Sequence, residues 1–220
     1  MEEEKRKTHD TSRWADYLKN RNTTLFETAL MRRRLISNII RFTPKRARLL
    51  EVGCGTGLTS ILLSHMGYDV VAIDIEKNVL SQVYREMKKH NSTIDICRAD
   101  MFQLNFKDKS FDVVFHQGVL EHYDDKKIAE ALQEQKRIGK IIIFEVPNSR
   151  FKRKPYGDER LLSNKYWRKL ISKSGLKIIY MYGANLNMLG GLWPYGLVYI
   201  FYDFFGRLFG RDSGFVCIPC

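Results

Sequence analysis

Short apolar runs alternate with amphipathic segments through most of this 220-residue chain. The runs have the length and composition of buried strands, and the segments between them repeat apolar residues at intervals of three and four, as helices do. The predicted strands are Leu49–Val52, Asp69–Ile73, Ile94–Arg98, Phe111–His116, Lys140–Val146, Lys177–Tyr182 and a last short strand over 214–219. The predicted helices are Leu58–Met66, Lys77–Lys88, Asp125–Arg137 and Asn164–Ser174. Strands that alternate with helices predict an α/β fold with a doubly wound parallel sheet.

A helical region is predicted before the first strand, over residues 11–42. Its apolar residues recur at helical spacing, and Thr43-Pro44 ends it. The segment Asn22-Thr23-Thr24 is expected to divide it into two helices, because Thr24 and Glu27 have the spacing of a capping box.

The first strand ends in a glycine-rich turn, Gly53-Cys54-Gly55-Thr56-Gly57, and the second strand ends at Asp74. Glycines allow a sharp turn and place no side chain between the backbone and a ligand. An acid at the tip of the next strand has the position from which a carboxylate accepts hydrogen bonds from ribose hydroxyls. The order strand, glycine turn, helix, strand and acid therefore predicts a pocket for a nucleoside-containing cofactor.

Three details distinguish among such cofactors. The spacing is Gly-x-Gly-x-Gly, whereas dinucleotide-binding turns have Gly-x-Gly-x-x-Gly. Glu51 precedes the turn, where its charge would repel a pyrophosphate but attract a cationic ligand. No Gly-Lys-Ser/Thr follows, which excludes a P-loop.

The turn, with Glu51 two residues before it, resembles motif I of class I S-adenosylmethionine-dependent methyltransferases. The resemblance covers about residues 45–183. It implies a Rossmann-like doubly wound sheet of seven strands, mostly parallel with a final antiparallel strand, and extra N-terminal helices that cover the substrate pocket. It also implies S-adenosyl-L-methionine as cofactor and S-adenosyl-L-homocysteine as product.

The resemblance assigns roles to residues at the strand ends. Glycines of the turn line the methionine part of the cofactor and Glu51 lies near its ammonium group. Asp74 holds the ribose, Ile75 flanks the adenine, and Asp100 and Met101 contact the adenine. The end of the fourth strand reaches the amino acid part of the cofactor. The implied cofactor-binding residues are Glu51, Gly53, Cys54, Gly55, Gly57, Asp74, Ile75, Asp100, Met101, His116 and Gln117.

The segment Gln117-Gly118-Val119-Leu120-Glu121-His122-Tyr123 resembles the Leu-Glu-His segment of ubiquinone-biosynthesis O-methyltransferases, the type 11 small-molecule branch. The Asn/Asp-Pro-Pro-Tyr/Phe motif of enzymes that methylate base amines is absent from this position. The expected reaction is methyl transfer to a small-molecule, lipid-like acceptor at oxygen. Loss of a hydroxyl proton requires a base, and His122 and His116 are the candidates because imidazole titrates near neutral pH. Gln117 stands where some relatives carry a glutamate, so no metal is predicted.

Charge leaves other functions open. The net charge is +12, with +7 over residues 1–48, +10 over residues 136–177 and −5 elsewhere. Basic flanks attract nucleic acid, anionic lipid or acidic molecules, and also suit a solvated surface. The alternatives are an RNA or protein methyltransferase that uses these flanks, a non-catalytic cofactor-binding subunit, and a peripheral membrane adaptor.

The expected organisation is one structural domain, with an N-terminal helical cap over residues 1–44 and a methyltransferase domain over 45–220. The latter carries a basic loop over 148–162 and an aromatic insertion over 186–210. Peripheral membrane contact through 192–209 is one reading of the insertion, and helix packing or a dimer interface is the other. A charged start without an apolar run, together with no apolar segment of membrane-spanning length, predicts a cytoplasmic protein. The expected oligomeric state is a monomer or a homodimer. Cys217 and Cys220 form an isolated Cys-x-x-Cys without a second ligand pair, and their role stays open.

Overall fold

The computed structural model describes residues 23–151, 157–184 and 211–220. Seven strands form one sheet in the order β3-β2-β1-β4-β5-β7-β6, and β7 runs antiparallel to both of its neighbours. The strands are β1 (Arg48–Val52), β2 (Asp69–Asp74), β3 (Asp95–Arg98), β4 (Phe111–Gln117), β5 (Gly139–Pro147), β6 (Leu176–Ala184) and β7 (Asp212–Pro219). The α/β sheet predicted from the sequence is therefore confirmed, including its final antiparallel strand.

Six α-helices and one short 3-10 turn accompany the sheet in the described ranges. The helices are α1 (Leu25–Met31), α2 (Arg33–Phe42), α3 (Leu58–His65), α4 (Lys77–Lys89), α5 (Asp125–Ile138) and α6 (Asn164–Lys173), and the 3-10 turn is Leu120–His122. The predicted helix and strand ends differ from these bounds by at most two residues. Those ends are the least determined part of any helix or strand.

The core has two layers because adjacent side chains of a strand point to opposite faces of the sheet. Val113 and Phe115 of β4 pack on the face that carries the N-terminal helices, α3 and α4. Val114, between them, packs on the opposite face with α5 and α6. Each face is thus covered by helices, and the carboxyl ends of the parallel strands meet at one open edge of the sheet.

The N-terminal helices begin where the sequence indicates. Thr24 caps α1: its hydroxyl accepts from the backbone N–H of Glu27, and the Glu27 side chain accepts from the backbone N–H of Thr24. A second break, at Arg32, separates α1 from α2. Leu35 and Ile39 of α2 are fully buried against the sheet, so this part of the predicted cap packs into the core.

Several sequence predictions concern segments outside the described residues. These are the start of the helical region over 11–22, residues 152–156 of the basic loop, and the whole 186–210 insertion with its 192–209 membrane-contact segment. The division of the chain at residue 44 stays a prediction. Among the described residues, no helix is long and apolar enough to cross a membrane.

Candidate functional site

The glycine turn lies at the open edge of the sheet, directly after β1. Gly53, Gly55 and Gly57 all adopt left-handed backbone angles, with φ of +65°, +53° and +70°. The backbone N–H of Cys54 donates to the carbonyl of Ile73 on β2, at 3.0 Å. The turn is thereby attached to the end of the neighbouring strand, and its path requires residues without a Cβ.

Asp74, the last residue of β2, faces this turn. Its Oδ2 accepts from the backbone N–H of Gly55 at 3.4 Å, and its Oδ1 accepts from the backbone N–H of Glu76 at 3.0 Å. Partial burial raises the pKa of Asp74, and the two hydrogen bonds oppose that rise. The carboxylate is therefore held at the pocket edge in a fixed orientation.

Glu51 lies beneath the turn and is buried. Its Oε2 accepts from the hydroxyl of Ser60 on α3 at 2.5 Å. Burial raises the pKa of Glu51 to about 7, although the Ser60 hydrogen bond and the positive charge of Arg32 act against the shift. A cation bound beside this carboxyl would stabilise its ionised form, as the ammonium group of an amino acid does.

Three residues implied to contact adenine lie at the ends of β2 and β3. Ile75 is exposed, Asp100 is exposed and Met101 is buried. Asp100 Oδ1 accepts from the backbone N–H of Phe102 at 3.0 Å, and the N–H of Ala99 donates to the carbonyl of Asp74 at 3.1 Å. The structure therefore brings Asp74, Ile75 and Asp100 to one corner of the open edge.

The end of β4 separates two residues that the sequence treated together. The side-chain oxygen of Gln117 is buried without a hydrogen-bond partner among the described residues, so it has a vacant acceptor position at the strand end. His116 points to the opposite face, where its ring stacks on Phe144 with centroids 5.1 Å apart. It is fully buried, and burial lowers its pKa to about 3.

The His116 ring therefore does not share the face of Gln117 and Glu51, which weakens its case as a base. Its predicted contact with the cofactor, which the backbone can also make, stays a prediction. Alternation along β4 explains the difference: Gln117, not His116, shares a face with Phe115 and with Glu51 of the paired strand β1. His116 is a core histidine in this fold.

His122 lies in the 3-10 turn that follows β4. Its Nδ1 is 2.9 Å from Oδ1 of Asp158, and its side chain is only 2% exposed. The turn adjoins the glycine turn, because a Cβ added to Gly53 would lie 2.8 Å from a methyl group of Val119. The negative charges of Asp74, Asp100 and Asp158 all act on the neighbouring Tyr123, whose pKa burial raises to about 12. His122 therefore lies beside the cofactor acids with a carboxylate on one ring nitrogen.

Four polar residues near the site were not predicted. Ser60 and Asp158 give no sequence signal, since each depends on a contact formed only by folding. Glu121 was named only as part of a motif, although it is 3% exposed and burial raises its pKa to about 8. Glu145 is a lone acid within the apolar strand Gly139–Pro147, a signal that could have identified it. Burial, with the charge of Asp212, raises the pKa of Glu145 to about 8.

The four cysteines lie within the described ranges, and none belongs to a group of side chains that could hold a metal ion there. Cys54 and Cys217 are buried in the two layers of the core, Cys220 is exposed, and all four cysteines are free thiols. Cys54 contributes its backbone to the glycine turn while its side chain packs inward. No group of three or more His, Cys, Asp or Glu side chains among the described residues has the geometry to hold a metal ion.

The open edge carries hydrogen-bond acceptors that match the ammonium and hydroxyl donors of S-adenosylmethionine. The Gln117 oxygen, without a partner in the described part of the chain, and the buried Glu51 carboxyl suit the amino acid end, while the oriented Asp74 carboxylate suits a ribose diol. These groups lie at the ends of β1, β2 and β4, which are adjacent in the sheet.

Comparisons with known proteins agree with this geometry. Residues 50–141 match the family model described as a methyltransferase domain. The chain is 30% identical over 130 residues to the human eEF1A lysine and N-terminal methyltransferase, an alignment that covers 57% of this chain and 18% of that protein. It is 29% identical over 168 residues to the ubiquinone biosynthesis O-methyltransferase of Pelagibacter ubique, covering 68% of this chain and 69% of that one.

Among solved structures, a SAM-dependent methyltransferase from Aquifex aeolicus has the same fold, with a TM-score of 0.70 and 14% sequence identity. The alignment covers 94% of this chain and 98% of that one. The comparisons confirm the predicted fold class, and the match to a methyltransferase domain agrees with the predicted class of enzyme and cofactor. The chain spans less than a fifth of the length of the eEF1A methyltransferases that it matches. The comparisons do not select an acceptor, since the two relatives are named for protein and for quinone methylation.

Proposed function

We propose that this chain transfers the methyl group of S-adenosylmethionine to a small-molecule acceptor at an oxygen atom. The observation that carries the proposal is the His122–Asp158 pair beside the glycine turn, with 2.9 Å between Nδ1 and Oδ1. Oxygen acceptors must lose a proton, and this pair supplies a base with an orienting carboxylate. The similarity to a ubiquinone biosynthesis O-methyltransferase supports the same reading.

In the donor pocket, different residues bind different parts of S-adenosylmethionine. Asp74 holds the ribose hydroxyls, because its two backbone hydrogen bonds fix the carboxylate at the pocket edge. Glu51 balances the ammonium group, and Gln117 directs its buried oxygen to the same end. When bound, S-adenosylmethionine supplies an activated methyl group on a sulfonium sulfur. The protein therefore acts mainly by positioning the acceptor in line with that methyl group.

On the acceptor side, His122 takes the hydroxyl proton. In the tautomer whose Nδ1 hydrogen is directed to Asp158, the basic site of the ring is Nε2, which lies 4.0 Å from Oε1 of the buried Glu121. Asp158 keeps the ring in this orientation and stabilises the imidazolium that forms. His122 is thus the catalytic base and Asp158 a positioning residue.

The donor pocket is tested by calorimetric titration with S-adenosylmethionine. We expect Asp74→Ala to weaken binding by about tenfold or more, because hydrogen bonds to charged groups contribute roughly 1.5–3 kcal/mol. Asp69→Ala is the matched control: Asp69 lies at the other end of the same strand, paired with Arg48 on the surface. Equal affinity of Asp74→Ala and the wild-type protein would refute the ribose assignment.

The acceptor class is tested by transfer of a labelled methyl group to fractionated extract, with small-molecule, lipid, RNA and protein pools separated. Label in a base-stable ether or in an ester of the small-molecule pool is the expected result. His122→Gln should lower turnover by about 10²–10⁴ with unchanged affinity for S-adenosylmethionine. Asp158→Asn should lower turnover and move the acid limb of the pH–rate profile to lower pH, because the imidazolium loses its carboxylate. His65→Gln, on the exposed end of α3, is the control.

A protein amine is the second candidate acceptor. The similarity to the eEF1A lysine and N-terminal methyltransferase favours it, as does the buried Glu121 carboxyl, whose Oε1 is 4.0 Å from Nε2 of His122. Label in the protein pool that persists in His122→Gln would support this reading, since a neutral amine needs no base for attack. Label confined to RNA would favour the nucleic-acid alternative, and cofactor binding without any labelled product would favour a non-catalytic subunit.

A further inference from the structure

Helix α6 has an outer face composed almost entirely of cations. Positions 165, 168, 169, 172 and 173 are exposed and follow the i, i+3, i+4, i+7, i+8 spacing of one helix face. Four of the five are Lys165, Arg168, Lys169 and Lys173, and the fifth is a serine. The opposite face packs Trp167, Leu170 and Ile171 into the core. The helix contains no acidic residue.

Two further lysines extend this face past the end of the helix. A Cβ added to Gly175 would lie 2.6 Å from Nζ of Lys136, so the Lys136 ammonium group covers the residue that follows α6. Lys109 Nζ donates to the carbonyl of Lys136 at 2.8 Å. Burial, together with the charge of Lys136, lowers the pKa of Lys109. Lys165, Arg168, Lys169, Lys173, Lys136 and Lys109 are termed the basic strip.

Helix stability does not account for this arrangement. Like charges three or four residues apart, such as Lys165 with Lys169 and Lys169 with Lys173, destabilise a helix. Lys165 also lies in the first turn, where a cation opposes the helix dipole. None of the four α6 cations forms an ion pair with another residue of the described ranges. Lys173 lies in the last turn, where a cation suits the helix dipole, and its charge also acts on Asp125. The other three charges have no ion-pair partner in the described ranges and are available to an external polyanion.

The strip begins at the edge of the sheet where the parallel strands end. The side chain of Asn148, directly after β5, donates to Ser213 at 3.0 Å, and Ser213 donates to Asn164 at the start of α6. These bonds attach the first turn of α6 to the edge where the strands end. From there α6 extends for ten residues, about 15 Å, toward the other end of the sheet.

We propose that the basic strip binds the phosphate backbone of a nucleic acid, without sequence preference. A line of regularly spaced cations matches a polymer with regularly spaced phosphates. The five face positions carry no aromatic side chain for base stacking, which argues against sequence recognition. They also carry no apolar side chain that would insert into a lipid surface, which argues against a membrane. The inference is independent of which acceptor is methylated.

The test is fluorescence anisotropy with a labelled 20-nucleotide single-stranded RNA of mixed sequence, across a salt series starting at about 50 mM. Neutralising four cations in K165Q/R168Q/K169Q/K173Q should reduce the slope of log K against log salt by roughly 3, at about 0.7 per phosphate contact. Affinity at the lowest salt should fall by about tenfold or more. Glutamine keeps a helix propensity close to that of lysine, so the helix is retained.

The matched control is K77Q/R85Q/K88Q/K89Q on α4, which removes the same number of exposed cations from another helix. It should change affinity by less than about threefold, since only the net charge is altered. The double variant K165Q/K169Q should give about half the loss of slope, and it serves if the fourfold variant is poorly folded by circular dichroism.

Three results would overturn the proposal. They are no binding of wild-type protein to the RNA at the lowest salt, equal weakening in the α6 and α4 variants, and flotation with phosphatidylserine vesicles in the absence of RNA binding. The last result would assign the strip to anionic lipid instead. Loss of RNA binding confined to the α6 variants would establish it.

Discussion

Gly57 has no room for a methyl group. Its φ is +70°, and an added Cβ would lie 2.5 Å from a methyl group of Val83 on α4. Gly67 has a similar backbone angle, with φ of +89°, but nothing lies within 4 Å of its Cβ position. Substitution of Gly67 therefore tests backbone strain alone, whereas substitution of Gly57 tests backbone strain together with packing.

We predict that Gly67→Ala costs about 1–2 kcal/mol of unfolding free energy, because only the left-handed backbone is penalised. Gly57→Ala should cost a further 1–3 kcal/mol or so, from the contact with Val83. Urea unfolding monitored by circular dichroism measures both. An equal cost for the two substitutions would show that α4 adjusts and that the turn is not constrained by packing.

Residue-level placement of the site was partly predictable. Glu51, Asp74 and the glycines carry signals in their spacing, and all lie at the open edge. His116 and Gln117 were not distinguished, because strand alternation relative to the pocket depends on register with β1, which only the sheet fixes. Asp158 could not be found, since 36 residues separate it from His122 and no pattern joins them.

At the scale of elements, α5 holds the loop between β3 and β4. The Arg137 guanidinium donates to the carbonyls of Leu104 and Phe106, both at 2.7 Å, and pairs with Asp108 and Glu134. The backbone N–H of Leu104 donates to Glu134 at 2.9 Å. This loop begins at Asp100, so one arginine connects helix packing to the adenine corner of the pocket.

We predict that Arg137→Met destabilises the protein by roughly 1–3 kcal/mol, because two loop carbonyls lose their donor and Glu134 loses its partner. The control Lys89→Met removes an exposed pair with Glu86 at 3.4 Å and should cost less than about 1 kcal/mol. Thermal unfolding measures stability, and calorimetry measures whether S-adenosylmethionine binding weakens with it. A cost as small as that of the control would show that the loop is held by other contacts.

The elements themselves were predictable because each strand is a continuous apolar run flanked by turn residues, as in Leu49–Val52. Their order in space was not. The family resemblance implied a final antiparallel strand, but neither it nor the periodicity placed β7 between β5 and β6. That arrangement is stabilised by antiparallel pairing of β7 with both neighbours, which joins residues about 70 and about 35 positions apart.

At the scale of the whole molecule, charge is unusually distributed. Three glutamates, Glu51, Glu121 and Glu145, are buried with raised pKa values of about 7, 8 and 8. His116 is buried with its pKa lowered to about 3. The half-buried acids Asp112 and Asp125 have lowered pKa values because of hydrogen bonds to Lys140 and Tyr166. These groups make the free energy of unfolding depend on pH, and the glutamates act in the opposite direction to the histidine and the aspartates.

The signs follow from which state binds more protons. Each buried glutamate holds its proton in the folded state above the pH at which the unfolded chain releases it, so stability falls as pH rises from about 4.5 to 8. His116 acts oppositely, since only the unfolded chain protonates it, and its contribution rises with pH up to about 6.5. Asp112 and Asp125 also favour folding as pH rises, but only in the acid range below about 4. Because three glutamates oppose one histidine, the net effect between pH 4.5 and 6.5 is a loss of stability as pH rises. Above pH 6.5 only the glutamates contribute, and the loss continues.

We therefore predict that the free energy of unfolding is largest near pH 5 and falls by several kcal/mol toward pH 8. Glu51 contributes at most about 3 kcal/mol of that fall. Urea unfolding at pH 5, 6.5 and 8 measures it. Glu121→Gln and Glu145→Gln should each flatten the decline, whereas Glu130→Gln, at a half-buried position of α5, should not. Saturating S-adenosylmethionine should also flatten the decline, because its ammonium group stabilises ionised Glu51. The same coupling makes the affinity for S-adenosylmethionine rise from pH 6 to pH 8.

Stability that is constant or rising over this range would mean that the buried glutamates ionise with compensation by neighbouring cations such as Arg32. In that case Glu51 would already be ionised and balanced by a cation before the cofactor binds. The affinity of the wild-type protein for S-adenosylmethionine would then not depend on pH, and Glu51→Gln would not change that.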